Sequence, residues 1–553
     1  MCGIAGAAGD FGEYAVARMS DTLGHRGPDA SGTFVEGDFA LGHRRLAILD
    51  LSAAGRQPMA SHDGRFVVAL NGEIFNYIEL RGEIGGEFRT VTDTEVLVEA
   101  CAKWGVEGAL ERLMGMFAFA LWDRKERELT LARDAMGEKP LVYLEDRRGI
   151  AFASEMKALA PLCDRCIDPQ ALDAYLALGH VPAPLGIFHG IRKLPAGCWL
   201  KFRNGESTTG RWKPRPEPAP RSLSEIVRDA VRLRLRSDLP LALLLSGGVD
   251  SSVIAAECVE LGASPAAFTA EFDGNDADSR FARMVALRLG LRHEVLRVAA
   301  PDPATIFEHY DEPFADSSAV GALALARSIG AEYKVVLNGD GGDEAFAGYR
   351  HYEHIALKQA AKRAAATVGL VEGPAAGVYV ASRAAFRAVE RRSLMNGHWS
   401  GNALARFCAD DHGGALHRAM AIDRELELAN RLTYKMDIAL GAVGKEGRAP
   451  FLDHRVMRWS ERADARELVR GGKKKIALRA AYRGALPAPV LDRRKLGFGA
   501  PVGAWLEGPW REFVADLLPC AWLDRKSQSG LRGQRLWTVA ALAAWAKRWR
   551  ASW

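Results

Sequence analysis

The chain has 553 residues, 48% hydrophobic and 26% charged, a composition that excludes disorder and fibrous structure and can fill at least two independent cores. With 74 Lys and Arg against 69 Asp and Glu, the net charge of +5 is too small over this length to argue for nucleic acid or a membrane surface as a partner. The eight cysteines are scattered and form no secreted disulfide framework, and Cys163 and Cys166 lack a second pair to complete a zinc site. No signal-peptide pattern precedes the first strand, and no apolar run approaches the roughly 18 residues of a membrane helix. A cytoplasmic protein is expected.

In chain order, strand patterns come first. Short β-rich runs at 66–70, 117–122, 129–132 and 150–153 are bounded by Gly, Asp or Arg turns, and helical spacing occurs at 93–104 and 169–178. An α+β sandwich is expected for residues 2–205. Alternating prolines in Lys213-Pro214-Arg215-Pro216-Glu217-Pro218-Ala219-Pro220 favour extended geometry, which predicts a linker over 206–221.

Residues 222–553 read differently. Ser222 with Glu225 forms a capping box that opens an amphipathic helix to 235. A buried strand at 241–245, a helix at 252–261, a strand at 267–272 and a helix at 279–289 alternate as in a parallel, doubly wound α/β sheet. Helical patterns dominate beyond Tyr349. The basic, alanine-rich stretch 356–392 reads as solvated helix, and the tryptophans at 537, 545, 549 and 553 read as a helix packed on the domain.

The strongest local signal of this half is Leu243-Leu244-Leu245-Ser246-Gly247-Gly248-Val249-Asp250-Ser251-Ser252. An apolar strand delivers two glycines whose N–H groups can approach an anion, the Ser246 and Ser251 hydroxyls add donors, and the next helix points its positive end at the same place. The Walker A spacing is absent, and Asp250 suits a magnesium ion on a pyrophosphate. A second acidic glycine loop, Asn338-Gly339-Asp340-Gly341-Gly342-Asp343-Glu344, follows an apolar strand at 334–337. Two such loops at the carboxyl ends of one parallel sheet can face a shared ligand at its switch point.

Cys2 offers a nucleophile. Removal of Met1 would free an α-amine that titrates near neutrality and can serve as base for its own thiol; a small buried cysteine at a strand start is the alternative. The polar clusters at 41–48, 71–76 and 92–95 suit a zwitterionic amino acid, with arginine for its carboxylate and carboxylates for its ammonium. Asn71 and the Gly72 N–H suit an oxyanion hole.

These residues carry a pattern that resembles the glutamine-dependent asparagine synthetases over essentially the whole chain. The matching segments include Met1-Cys2-Gly3-Ile4, His25-Arg26-Gly27-Pro28-Asp29, Asn71-Gly72-Glu73, both glycine loops, Asp311-Glu312-Pro313, Glu446-Gly447-Arg448-Ala449-Pro450-Phe451-Leu452-Asp453 and Lys495-Leu496-Gly497-Phe498. The resemblance implies an N-terminal-nucleophile glutaminase domain joined to an ATP-pyrophosphatase domain. Cys2 would attack the glutamine carboxamide, with Arg45, Asn71, Gly72, Glu73 and Asp93 holding the substrate. Ammonia would cross an internal passage to an acceptor carboxylate, L-aspartate above all, that is activated by ATP. Leu245, Ser246, Gly247, Gly248, Asp250, Ser251, Ala270, Gly339, Asp340 and Asp343 would hold ATP and pyrophosphate, and Asp250 and Asp343 would hold Mg²⁺. Lys475, beside Lys473 and Lys474, would stabilise the adenylated intermediate. The family also suggests a homodimer. Asn338 where the loop usually begins with Ser, Asp340 where some members have Glu, and Ala347 where Gly is usual leave a second reading open: the same mechanism on a sugar acid or secondary-metabolite carboxylate.

Overall fold

Strand β1 (Gly3–Gly9) consists of glycines, alanines and one isoleucine, and such small side chains suit the middle of a layered sandwich, where neighbours close in from every side. The computed structural model describes residues 1–11, 13–216, 221–272, 277–355, 375–395, 397–399, 401, 403–404, 414–493, 501–521 and 523–552. After β1 come β2 (Ala30–Glu36), β3 (Phe39–Arg45), β4 (Met59–Ala60), β5 (Phe66–Ile74), β6 (Gly115–Asp123), β7 (Glu128–Arg133), β8 (Val142–Asp146), β9 (Gly149–Ala153), β10 (Ile191–Lys193), β11 (Cys198–Arg203) and β12 (Glu206–Arg211). They form two six-stranded antiparallel sheets, ordered β10-β8-β9-β1-β3-β2 and β12-β11-β7-β6-β5-β4.

Side-chain alternation explains the layering. Val67 and Ala69 of β5 meet Ile4, Leu41 and Phe152 between the sheets, while Phe66, Val68 and Leu70 meet Val96, Leu97 and Ala100 of the helix Asp93–Leu110. On the far side Ala5 and Ala7 of β1 pack on Val16 and Met19 of the helix Glu13–Asp21. The result is a helix–sheet–sheet–helix sandwich.

The expected linker began too early. Residues 206–211 form β12, paired with β11 along its length, and Trp212 donates its indole N–H to the Arg133 carbonyl at 3.1 Å. This polar edge strand has no apolar alternation to mark it in sequence. The extended stretch after it is pinned to both halves: Arg215 N donates to Glu111 O at 2.8 Å, and Arg458 donates to the Pro214 carbonyl at 2.8 Å.

In the second half, β13 (Leu241–Leu244), β14 (Ala266–Phe272), β15 (His293–Val298), β16 (Val335–Leu337) and β17 (Glu446–Arg448) form one parallel sheet, ordered β15-β14-β13-β16-β17. Leu243 and Leu337 face one apolar layer; Ala242 and Val336 face another that takes in Met1. A parallel sheet buried on both faces is the expected arrangement. The capping box of Ser222 and Glu225 is present on the helix Leu223–Arg234. The helix Gly533–Trp549 buries Trp537 and Trp545 completely. Among the described residues no helix is long and apolar enough to cross a membrane. Residues 356–374 of the basic stretch, Lys495 to Phe498 and Trp553 lie outside the described residues.

Two candidate active sites

Both sites follow from β13. Cys2 packs at the amino end of the parallel sheet, in a small apolar group with Leu241 and Val335. The main cavity, about 430 Å³, opens at the carboxyl end, where it is lined by Leu244, Leu245 and the loop that follows. At roughly 3.3 Å per residue a four-residue strand spans about 10 Å, so one short strand runs between the two candidate sites.

At the first site Cys2 directly precedes β1, and Arg45 ends the neighbouring β3. Burial pushes the Cys2 thiol up, an effect opposed by the chain's N-terminal ammonium and by Arg45. Arg45 donates to the Ser52 and Leu49 carbonyls at 2.8 and 3.2 Å, which folds the 49–52 segment over its guanidinium. Asn71 and Glu73 lie in β5, four residues longer than expected from sequence, opposite Ala118 and Met116. Asn71 is completely buried, and neither its amide oxygen nor its amide nitrogen has a hydrogen-bond partner; Glu73 Oε1 has none either. Burial drives the Glu73 carboxyl well above its ordinary range, with the Arg448 guanidinium opposing. Asp93, at the start of the helix Asp93–Leu110, accepts from Ile74 N at 2.8 Å and is pushed up to about 6 by burial. Buried polar groups are normally satisfied, so the unpaired Asn71 amide and the half-paired Glu73 carboxylate make this stretch of β5 a candidate for binding a polar ligand.

At the second site the two glycine loops follow β13 and β16, neighbours in space where the strand order reverses. Ser246, Gly248, Asp250, Ser251, Ala270, Gly339, Asp340 and Asp343 line the cavity with Leu245. Gly247 does not; it makes the turn, at a left-handed φ of 65° with Phe281 and Ala282 packed where a side chain would be. Sequence spacing placed the helix start at 252, but it begins at Val249, so Asp250 and Ser251 sit in the first turn of Val249–Glu260. Ser246 N donates to Ser251 Oγ at 3.1 Å, which fixes the loop.

Lys475 settles between the loops. Its ammonium lies 2.6 Å from Asp250 Oδ1 and 2.7 Å from Asp343 Oδ1, whereas Lys474 turns away to Glu353 at 2.5 Å. Lys475 adopts a left-handed φ of 56°, a conformation that costs a non-glycine residue on the order of 1 kcal/mol and concentrates at working sites. Gly348 makes the approach feasible: a side chain there would meet Asp343 Oδ1 at 1.8 Å and Lys475 Cε at 2.3 Å.

The structure thus gathers Cys2, Arg45, Asn71, Gly72, Glu73 and Asp93 on one side, and the two loops with Lys475 on the other. Glu344, at the end of the second glycine loop, lines the cavity too, and sequence reasoning missed further parts of its wall: Asp316, Ser318, Tyr349, Arg431 and Lys435. Arg431 pairs with Asp316 at 3.1 Å, and Lys435 donates to Ser318 Oγ at 2.9 Å. Burial lifts Glu344 to about 7, with the Tyr349 hydroxyl bonded to it. Asp316, Ser318, Tyr349, Arg431 and Lys435 had no local signal, because they come from segments far apart in sequence.

The fold is that of a two-unit protein: an N-terminal-nucleophile-type sandwich joined to an α/β unit with two glycine loops at its switch point. Residues 1–213 match the family described as glutamine amidotransferase domain, and residues 222–551 match asparagine synthase. The glutamine-hydrolyzing asparagine synthetase 1 of Bacillus subtilis (strain 168) is 30% identical over 552 residues, covering 92% of this chain and 87% of its own. Asparagine synthetase 3 of the same organism is 28% identical over 543 residues. An amidase, chyE, of Penicillium rubens is 31% identical over 371 residues, 60% of this chain and 54% of that protein. The chain belongs to the asparagine synthetase family of glutamine amidotransferases, whose members use ATP.

Proposed function

We propose that this chain is a glutamine-hydrolysing asparagine synthase that converts L-aspartate, ATP and glutamine to asparagine, AMP, pyrophosphate and glutamate. The observation that carries the reading is the pair of buried, unsatisfied groups in β5, the Asn71 amide and Glu73 Oε1. A glutamine ammonium satisfies Glu73 and Asp93, its carboxylate suits Arg45, and its carboxamide oxygen suits Asn71 and the Gly72 N–H.

With Met1 removed, the Cys2 α-amine takes the thiol proton and the thiolate attacks the carboxamide carbon. Ammonia leaves, and water cleaves the thioester to glutamate. An apolar layer supports transfer of neutral ammonia: Ala242, Phe268, Val336 and Leu440 pack together with Leu244 and Met436, and the last two line the cavity. In the cavity the acceptor carboxylate attacks the α-phosphorus of ATP and expels pyrophosphate; ammonia then attacks the acyl carbon and expels AMP. The loop N–H groups and the Ser246 and Ser251 hydroxyls suit the phosphates, and Lys475 suits the charge that develops at phosphorus.

Asp250 and Asp343 fit a magnesium ion. They are hard oxygen donors from two loops that already converge on one cation, and Mg²⁺ is ordinarily held by one or two carboxylates with substrate phosphates. When bound it neutralises pyrophosphate charge. Arg431 and Lys435 offer positive charge for a second carboxylate on the acceptor, as aspartate requires.

A second reading, the same chemistry on another carboxylate, is favoured by Asp340 in the cavity wall and by Ala347, a residue with a side chain at a left-handed φ of 51° in the loop beside it. The deciding experiment measures pyrophosphate release with ATP, Mg²⁺ and glutamine, with and without L-aspartate, and follows amino-acid products. Aspartate-dependent pyrophosphate matched by asparagine supports the first reading. Glutamate formation with no response to aspartate rejects it and favours the second.

A further inference from the structure

Strand β5 has a neighbour on both sides only near its start. Met59 and Ala60 of β4 face Val68 and Val67, and Pro58 before them has no N–H with which to extend the ladder. From Leu70 to Ile74 the strand is the rim of its sheet, while β6 continues along the other side. Alternate residues of a strand send their N–H and C=O groups to the same side. Phe117, opposite Gly72, directs both of its main-chain groups to Asp134: its N–H donates to Oδ2 at 3.2 Å and its carbonyl accepts from Asp134 N at 2.8 Å. Gly72 consequently faces the rim, as Leu70 and Ile74 do.

Side chains stand in for the missing strand. Gln57 Oε1 accepts from Leu70 N at 2.7 Å, and His43 donates Nε2–H to the Leu70 carbonyl at 3.1 Å. Four residues on, Asp93 Oδ2 accepts from Ile74 N at 2.8 Å. Leu70 and Ile74 are thereby pinned, with Asn71, Gly72 and Glu73 held between them. Gln57 Nε2 donates in turn to Thr94 Oγ1 at 2.9 Å, so one amide ties the rim to the helix that carries Asp93.

His43 comes from β3 in the opposite sheet, two residues before Arg45, and its bond to Leu70 spans the two layers of the sandwich. The ring is completely buried, and burial pushes it down to about 4, so it is neutral. A carbonyl only accepts, which puts the ring proton on Nε2 and makes Nδ1 an acceptor. Nδ1 has no partner. An imidazole with one nitrogen unpaired is a costly way to fill a buried layer; what it supplies is a donor fixed in place for the Leu70 carbonyl.

We infer that His43 and Gln57 are positioning residues for glutamine hydrolysis: by holding both main-chain groups of Leu70 they set the rim of β5 and so aim the Asn71 amide and the Gly72 N–H. The inference rests on the reading of Cys2, Asn71 and Gly72 as the glutamine site.

The test measures glutamate release by the full chain, with kcat expressed per site titrated by a diazoketone analogue of glutamine. Two variants separate the ring nitrogens. In His43→Gln the amide nitrogen falls where Nε2 stood and keeps the bond to Leu70; in His43→Asn it falls where Nδ1 stood and loses it. His43→Asn is expected to lower kcat by about a hundredfold, the scale of a misplaced catalytic group. Its glutamine KM should stay within about threefold, because Arg45, Glu73 and Asp93 still hold the amino-acid end. His43→Gln is expected to recover kcat to within about fivefold of wild type. A residue that merely supports the core would lower the melting temperature and the titrated fraction while leaving kcat per titrated site in place. Wild-type kcat in His43→Asn, or equal losses in both variants, overturns the positioning role. Should His43→Asn not fold, Gln57→Met, which removes the acceptor for Leu70 N at similar volume, decides by the same split of kcat from KM. A wild-type chain that releases no glutamate at all overturns the glutaminase reading itself, and the positioning role with it.

Discussion

Asp93 shows what a buried carboxylate costs and what it gains. Its folded pKa of about 6 lies above the unfolded 3.8, so its contribution to stability is present below pH 3.8 and is lost as pH rises through about 6. At neutral pH the ionised group burdens the fold by about 3 kcal/mol, and on the function proposed above a glutamine ammonium would offset that burden. Glutamine is therefore expected to raise the melting temperature of a Cys2→Ala protein more at pH 8 than at pH 5. The glutamine KM should climb below pH 6, by up to about tenfold per unit. Asp93→Asn should flatten that limb at a raised KM; an unchanged limb would show that another group sets it. At the second site Gly348 is the sensitive position. Gly348→Ala drives a methyl into Asp343 and Lys475 and is expected to lower pyrophosphate release by about a hundredfold or more, the scale of a lost transition-state contact. Glutamate formation should survive, because the sandwich is untouched. Equal loss of both activities would point to misfolding instead.

Among the elements, the helical part hangs on Asp423. One carboxylate oxygen, Oδ2, accepts from His351 at 2.9 Å and from the hydroxyls of Tyr352 and Tyr379 at 2.6 Å each. These donors come from the 350–354 turn and the helix Ala375–Arg383, and the acceptor ends the helix Ala415–Asp423. Asp423→Ala leaves three mostly buried donors unpaired and is expected to cost about 3 kcal/mol or more, read as a lower urea midpoint. The sequence carried no sign of this hub, since hydrogen bonds across distant helices have no period. Strands were legible where a continuous apolar run is buried on both faces, as in β5 and β6, and the glycine loops announced themselves through strand-then-glycine order. Lengths were less legible: β5 continues through Asn71, Gly72 and Glu73 because β6 pairs with it throughout, which polarity alone disguises. Residues near Cys2 could be grouped by chemistry, and which of three lysines faces Asp250 was decided only by the left-handed turn at Lys475.

For the whole molecule the question is what makes two units one body. Ion pairs of two kinds cross the junction. Lys334 meets Asp29 at 2.8 Å with both side chains more than a quarter exposed, while Arg26 meets Glu155 and Asp437 with all three sealed from water. The first kind is screened and typically contributes below about 1 kcal/mol. Loss of the Arg26 guanidinium instead takes a sealed partner from Asp437 across the junction and from Glu155, a penalty of up to about 3–5 kcal/mol that Lys139 at 3.4 Å from Asp437 and Lys157 at 2.7 Å from Glu155 offset in part. Lys334→Ala should therefore leave thermal unfolding almost unchanged, and Arg26→Met should lower it by several degrees. The loss belongs to the junction rather than to either core, so the melt of Arg26→Met should also separate into two steps that the wild-type chain takes together. A single transition shifted by the same amount in both variants would place the cohesion elsewhere, in the apolar layer around Met1, Phe268 and Leu440.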